Sequence, residues 1–393
     1  MRFRLTDDQR ALRDGVRGVL ARHFDGQVLR AAAEGAGGGG AGAGGGGIGG
    51  EGAGRCGAGD DVSEGDGAGP DGGGGGGVGG PRAGGERAGR SGAAGSEPGG
   101  ERMGPSGAGG DDAARGSAYA GAAGGGAAGR RGAGRAVGAP RLDRGLWRVL
   151  GDLGFFALRV PEADGGVGLG LPEAVLVFEE AGRVLLPGPL IATHLAAGAV
   201  PGAATGETVV AAVDGGLVEW LAEADVVRGD ATAAVPLRSL DPLTPLHRVP
   251  VRAADPVASL LTAAEQLGTA TRVCELAAQH ARARQQFGRP IGTFQAVAHL
   301  CAGILVRAET ARAAVYAAAV TADPADIAAA RILADEAAVR GARDCLQVHG
   351  GMGFTWESEV HLHLKRAWVR TQRAGGVTQS EELLAAALAP GAT

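Results

Sequence analysis

The sequence predicts a mainly α-helical protein with a small β module set in its middle, and three observations carry that reading. Apolar residues recur at helical spacing over 6–24, over 142–153 and after Pro172, and again in three long runs from Asp255 to Val348. Between about 205 and 250 that rhythm gives way to short β-branched runs broken by Gly-Gly and proline. From Gly35 to about Pro140 neither period holds: 47 of the 76 glycines lie between Gly35 and Gly138.

The first element is an amphipathic helix over 6–24. Thr6-Asp7-Asp8-Gln9 has the form of a capping box, in which the Thr hydroxyl and the Gln side chain satisfy free backbone N–H groups. Leu12, Val16, Val19, Leu20 and Phe24 then mark one face. The tract 35–140 follows. Ordering glycine costs more backbone entropy than ordering any other residue, and the tract has almost no large apolar side chains to offset it, so it is expected to be a disordered insert. Its arginines are nearly balanced by acids, which argues against a nucleic-acid tract.

Order resumes at Leu142. Leu142, Leu146, Val149, Leu150 and Leu153 mark a helix that Gly154 is placed to end. Pro172 suits the first turn of the next helix, with Val175, Phe178 and Gly182 on its inner face. In the β module, 208–213 and Leu217–Leu221 flank a Gly215-Gly216 turn, and Val226-Val227 and Ala231–Leu237 are further candidate strands. At about 45 residues the module is too small for a deep site of its own. Asp255-Pro256 then reads as an N-cap followed by proline at the first helical position. It opens a helix to about Arg284, followed by helices from Phe294 through Val315 and from Ile327 to about Val348, which together form an antiparallel bundle.

A net charge of −5 gives no basic footprint for nucleic acid. Cys56, Cys274, Cys301 and Cys345 are scattered, with no CxxC pair, so neither a disulfide framework nor a zinc site is expected. Met1 to Thr6 lacks the apolar run of a signal peptide, and no 18-residue apolar stretch occurs. No membrane span and a cytoplasmic location are the expectation.

Arg284-Gln285-Gln286-Phe287-Gly288-Arg289-Pro290-Ile291, then Phe294-Gln295, resembles the RxxFGxPI…Q signature of acyl-CoA dehydrogenases. The run from Asp344 to Glu357, with Gln347-Val348-His349-Gly350-Gly351 inside it, resembles their second signature. Phe156 to Pro189 looks like the N-terminal domain of a short actinobacterial subgroup often tied to sterol side-chain or polyketide breakdown. The resemblance covers 6–34 and 141–388. It implies an N-terminal helical domain (1–34 and 141–200), a reduced β domain (201–252) and a C-terminal four-helix-bundle domain (253–393).

It also implies α,β-dehydrogenation of an acyl-CoA thioester, FAD as cofactor, an electron-transfer partner, and a homo- or hetero-oligomer with a related dehydrogenase subunit. In the family FAD lies across a subunit interface. By that likeness Arg284 would pair a phosphate through forked, charge-assisted bonds. Phe287 and Gln295 would complete that side, Gln295 by hydrogen-bonding the dinucleotide. Gln347, Gly350 and Gly351 would approach its backbone closely; read alone, Gly350-Gly351 is as well explained as a helix end, and the arginine motif tips it to the dinucleotide.

The sequence departs from the family where the chemistry needs a carboxylate base. The two positions that carry the family's glutamate fall on Ala374 and Ala258, and a methyl group cannot take a proton. Asp255, one helical turn from Ala258, is the nearest acid along the chain, and it is also the N-cap. Glu381 and Glu382 are expected to head the last helix in a capping or surface role. Neither the family's Thr-Glu-Pro strand nor its Gly-Ser-Asp turn occurs between Thr193 and Asp255, which puts the flavin-ring pocket in question. His361-x-His363 lacks the further ligands of a metal site. Lys365, Arg366, Arg370 and Arg373 read either as a CoA-phosphate patch or as a solvated helix face.

Overall fold

A computed structural model of the chain describes residues 4–37, 140–250 and 254–389. Nearly all of the glycine-rich tract expected to be disordered lies outside the described residues, as does Cys56. At its start the expectation needs correcting. A helix that the apolar pattern did not reveal, α2 (Gly26–Gly37), follows α1 (Asp7–His23) and runs past Gly35. The capping box at Thr6 and Gln9 is formed reciprocally, with both bonds at 3.1 Å.

Three further helices, α3 (Arg144–Asp152), α4 (Leu171–Arg183) and α5 (Leu190–Ala196), lead into the sheet. α4 packs on α6 (Pro256–Ala283), and the two backbones touch where glycines allow it. A Cβ on Gly182 would lie 2.1 Å from the Glu265 carbonyl oxygen, and one on Gly268 would lie 1.9 Å from that of Glu179. α6 is accordingly buried all round from Ala258 to Ala270.

The sheet has five strands, β1 (Val210–Asp214), β2 (Leu217–Glu219), β3 (Val226–Arg228), β4 (Val235–Leu237) and β5 (Leu246–Arg248), in the order β3-β1-β2-β5-β4. β1 and β3 are parallel and the other pairs antiparallel. Asp214 pairs with Leu217 across a two-residue turn whose glycines, Gly215 and Gly216, both have positive φ, as a tight hairpin requires. Pro236 sits in an edge strand, where a missing N–H does no harm.

α6, α7 (Gln295–Thr321) and α8 (Pro324–His349) form the bundle, with α9 (Val360–Arg370) and α10 (Gly376–Leu388) packed on α8. Among the described residues no helix is long and apolar enough to cross a membrane. Glu381 and Glu382 lie midway along α10, exposed, rather than at its head.

Candidate functional site

α6 and α8 run in the same direction, so their C-termini reach one end of the bundle together with the N-terminus of α7. His280 and His349 stack there at 4.1 Å between ring centroids, tying the turn after α6 to the turn after α8. Arg284 is the C-cap of α6. The chain then folds into a hairpin in which β6 (Gln285–Gln286) pairs β7 (Arg289–Pro290). Its turn residues Phe287 and Gly288 have φ 53 and 75, and the Phe287 ring is 88% exposed. Phe294 supports the hairpin: Phe287 meets its ring edge-on at 6.0 Å, and the Arg289 guanidinium lies 4.3 Å from its centroid.

Gln295, the first residue of α7, and Gln347, in the last turn of α8, are exposed. Gly350 has φ 62, and a Cβ on Gly350 or Gly351 would meet nothing within 4 Å. One bundle end therefore gathers a guanidinium, two amides and an open glycine turn. Those groups fit the phosphates and backbone of a dinucleotide.

The two base positions lie elsewhere. Ala374 stands in the turn between α9 and α10 with φ 51 and ψ 38, 5% exposed. The β1–β2 turn closes over it so tightly that a Cβ on Gly215 would lie 2.1 Å from the Gly375 nitrogen and 2.9 Å from that of Ala374. Ala258, in the first turn of α6, is also 5% exposed. Asp255 is held as the N-cap, accepting from the N–H of Val257 at 2.8 Å and of Ala258 at 3.4 Å.

The arginines of α9 and of the turn after it are neither a solvated face nor an open phosphate patch. Arg366, Arg370 and Arg373 are all buried. Arg366 pairs with Asp241, and Arg370 with Glu265 at 3.1 Å. Arg373 lies 3.3 Å from Glu219 and 3.5 Å from both Asp214 and Glu265. Beneath them the buried Arg331 pairs with Asp335 at 2.9 Å and donates to the Arg373 carbonyl at 3.2 Å.

Burial lowers the Arg370 guanidinium to about 10. Burial also raises the carboxyls of Asp214 and Glu219, against the pull of Arg373. Asp214 faces the Ala374 N–H, yet neither of its oxygens completes a well-formed hydrogen bond. Asp214 is thus a carboxylate beside Ala374 that the order of residues along the chain does not reveal, since only the sheet brings it there. Lys365 forms none of these ion pairs; it lies 4.9 Å above the Trp356 ring, within range of the Asp241 charge.

A cavity of about 440 Å³ lies between the sheet and α9, lined by Gly215, Gly216, Leu217, Leu246, Trp368 and Gln372 among others. A second, of about 340 Å³, lies at the bundle end beside His280, His349 and Met352. His361 and His363 are buried in α9, and no group of metal-ligating side chains occurs among the described residues.

The order of helices, small sheet and bundle is shared with solved acyl-CoA dehydrogenase structures. Residues 134–208 match the family model for the acyl-CoA dehydrogenase N-terminal domain, and residues 257–387 the one for the C-terminal domain. The chain is similar to the acyl-CoA dehydrogenase IpdE2 of Mycobacterium tuberculosis, with 36% identity over 265 residues covering 57% of this chain and 80% of that protein.

Among solved structures it resembles a single-substitution variant of the Tcur3481-Tcur3483 steroid ACAD, at TM-score 0.55 and 25% identity, covering 64% of this chain and 90% of that one. It also resembles the ChsE4-ChsE5 complex of Mycobacterium tuberculosis, at TM-score 0.54 and 27% identity over 64% of this chain and 90% of that one. The chain belongs to the acyl-CoA dehydrogenase family, whose members are FAD-dependent oxidoreductases.

Proposed function

We propose that this chain is a subunit of an acyl-CoA dehydrogenase oligomer that helps to hold FAD but brings no catalytic base of its own. The observation that carries the reading is the pairing of an open nucleotide-type end with two buried alanines. Arg284, Phe287, Gln295, Gln347, Gly350 and Gly351 are all exposed at one bundle end, while Ala374 and Ala258 offer no group that takes a proton.

Arg284 would clasp a phosphate, Gln295 and Gln347 would bond the dinucleotide, and the glycine turn would let its backbone approach. FAD, when bound, supplies the two-electron acceptor for oxidation of an acyl thioester. The α-proton would pass to a carboxylate of a related dehydrogenase subunit, and the electrons onward to an electron-transfer partner. The likeness to a steroid dehydrogenase pair and to the ChsE4-ChsE5 complex supports a two-chain assembly acting on a bulky, steroid-type acyl-CoA. A cytoplasmic setting suits such a substrate.

The test is to purify the full chain alone and together with a related dehydrogenase subunit of the same host. Flavin absorbance and acyl-CoA oxidation with an artificial acceptor are then measured on both. The chain alone should be inert, and the pair should carry flavin and turn over. Robust turnover by the chain alone overturns the reading.

A further inference from the structure

The turn that carries Ala374 packs on α6, the helix that carries Ala258, and the chain fills the space between them with its own charges. Asp214 reaches it from the end of β1, where it faces Ala374 and senses the charge of Asp255, the cap beside Ala258. Glu265 reaches it from α6, seven residues after Ala258 and so on the same helix face. Arg370 and Arg373 enter from α9 and the turn after it.

Four guanidiniums (Arg331, Arg366, Arg370 and Arg373) face five carboxylates (Asp214, Glu219, Asp241, Glu265 and Asp335). The 440 Å³ cavity reaches Gly215 and Gly375, next in the chain to Asp214 and Ala374, but its lining does not include Asp214, Glu219, Glu265 or Ala374 themselves. An acyl chain entering beside Ala374 would have to displace paired, desolvated charges, at far greater cost than displacing water or apolar side chains. The Gly215 backbone, pressed on Gly375, stands between this charged interior and the 440 Å³ cavity, which both glycines line.

Resting on the subunit reading above, we propose that this subunit accepts no acyl chain of its own. The Arg370–Arg373 ion-pair cluster is a built-in plug that occupies the acyl interior and fastens the β1–β2 turn over it. Loss of the base is then one part of a site that is closed altogether, and restoring a glutamate does not reopen it. A glutamate at position 374 would be buried against Asp214, where two carboxylates repel and one holds its proton.

The experiment titrates the full-length chain with free CoA, acetyl-CoA, butyryl-CoA and octanoyl-CoA by calorimetry. Burying each added methylene strengthens binding roughly fourfold, so a true acyl pocket gives a steep series. The plug predicts a flat series, within about twofold from acetyl to octanoyl, whether the CoA moiety itself binds or not. Affinity that climbs with chain length overturns it.

A second measurement uses Ala374→Glu in complex with the partner subunit, where turnover is expected to stay at the wild-type level of the complex. A gain of several-fold with the flavin content unchanged overturns the proposal; if the variant does not fold, the titration of the unmodified chain still decides. Flavin content of the complex reads the subunit assignment separately. A complex without flavin removes that assignment and leaves the acyl-length series to judge the plug.

Discussion

Arg373 holds Glu219 at 3.3 Å across the seam between the sheet and the helical bundle, and the same guanidinium lies 3.5 Å from Asp214. Glu219 and Asp214 therefore depend on one guanidinium that also touches Glu265 at 3.5 Å. Removing it with Arg373→Ala leaves the buried Asp214 and Glu219 without their direct ion-pair partner, a loss of about 3–5 kcal/mol. The sign of the pH dependence follows from the carboxyls, which burial already raises. The folded state holds protons that the unfolded state releases, so their contribution is present below the ordinary carboxylate range and is lost as pH rises through the raised value. Thermal unfolding of the variant should thus improve on going from pH 8 to pH 5; a flat or opposite profile would contradict the pairing.

Ala374 sits at φ 51, a region that costs a residue with a Cβ about 1 kcal/mol. Ala374→Gly relieves that strain and removes no hydrogen bond. We expect a gain of about 0.5–1 kcal/mol, read as a higher urea midpoint at unchanged slope. A loss of stability would mean that the Ala374 methyl packs to greater effect than the strain it carries.

His194 is buried against Phe178, and its Nδ1 bonds the Phe156 carbonyl at 3.1 Å. Burial, with help from Arg159, lowers it to about 4. The unfolded ring binds a proton near 6.5 and the folded ring does not. The stability this neutral ring supports is complete above about 6.5 and is lost as pH falls toward 4, by about 3 kcal/mol. His194→Asn keeps a donor near the Nδ1 position and cannot titrate. Its urea midpoint should fall less steeply than the wild type between pH 7 and 4.5. His363, lowered in the same direction by burial, leaves part of the slope in place.

Arg284 and Lys365 test the nucleotide end against a cation with another task. Loss of a forked phosphate contact costs about 1.5–3 kcal/mol, roughly ten- to a hundredfold in affinity. Arg284→Ala should release flavin from the assembled complex on dilution. Lys365→Ala, which removes the contact over Trp356 and a charge near Asp241, should retain it. Equal flavin content in the two variants would remove Arg284 from the site.

Local signals were legible wherever one residue's chemistry fixes its own backbone. Thr6 with Gln9, Asp255 with Pro256, and the Gly215-Gly216 turn all stand where the sequence puts them. β5 was not legible because Leu246-His247-Arg248 is three residues between prolines, too short to show alternation. α2 begins at a glycine and runs into the glycine-rich tract, and its buried face rests on Leu29 and Ala33, too little to mark a helix in the sequence. The ion-pair cluster was hidden for a different reason. Arg366, Arg370 and Arg373 follow the spacing of one helix face, and a basic face reads as solvent-exposed unless its acids are visible. Those acids arrive from β1, β2, the loop before β5, and α6, and only tertiary packing brings them to it.

Heating acts differently on charged and oily contacts. Hydration of ions becomes less favourable as temperature rises, so the penalty for keeping four arginines and their acids dry shrinks, while apolar contacts gain nothing further. The seam between sheet and bundle carries such charges beside the apolar contacts of Trp220 and Leu243. The five short strands, too small to stand alone, are therefore held most firmly in the range where small β modules ordinarily shed from their neighbours. Sheet and bundle should melt as one calorimetric event.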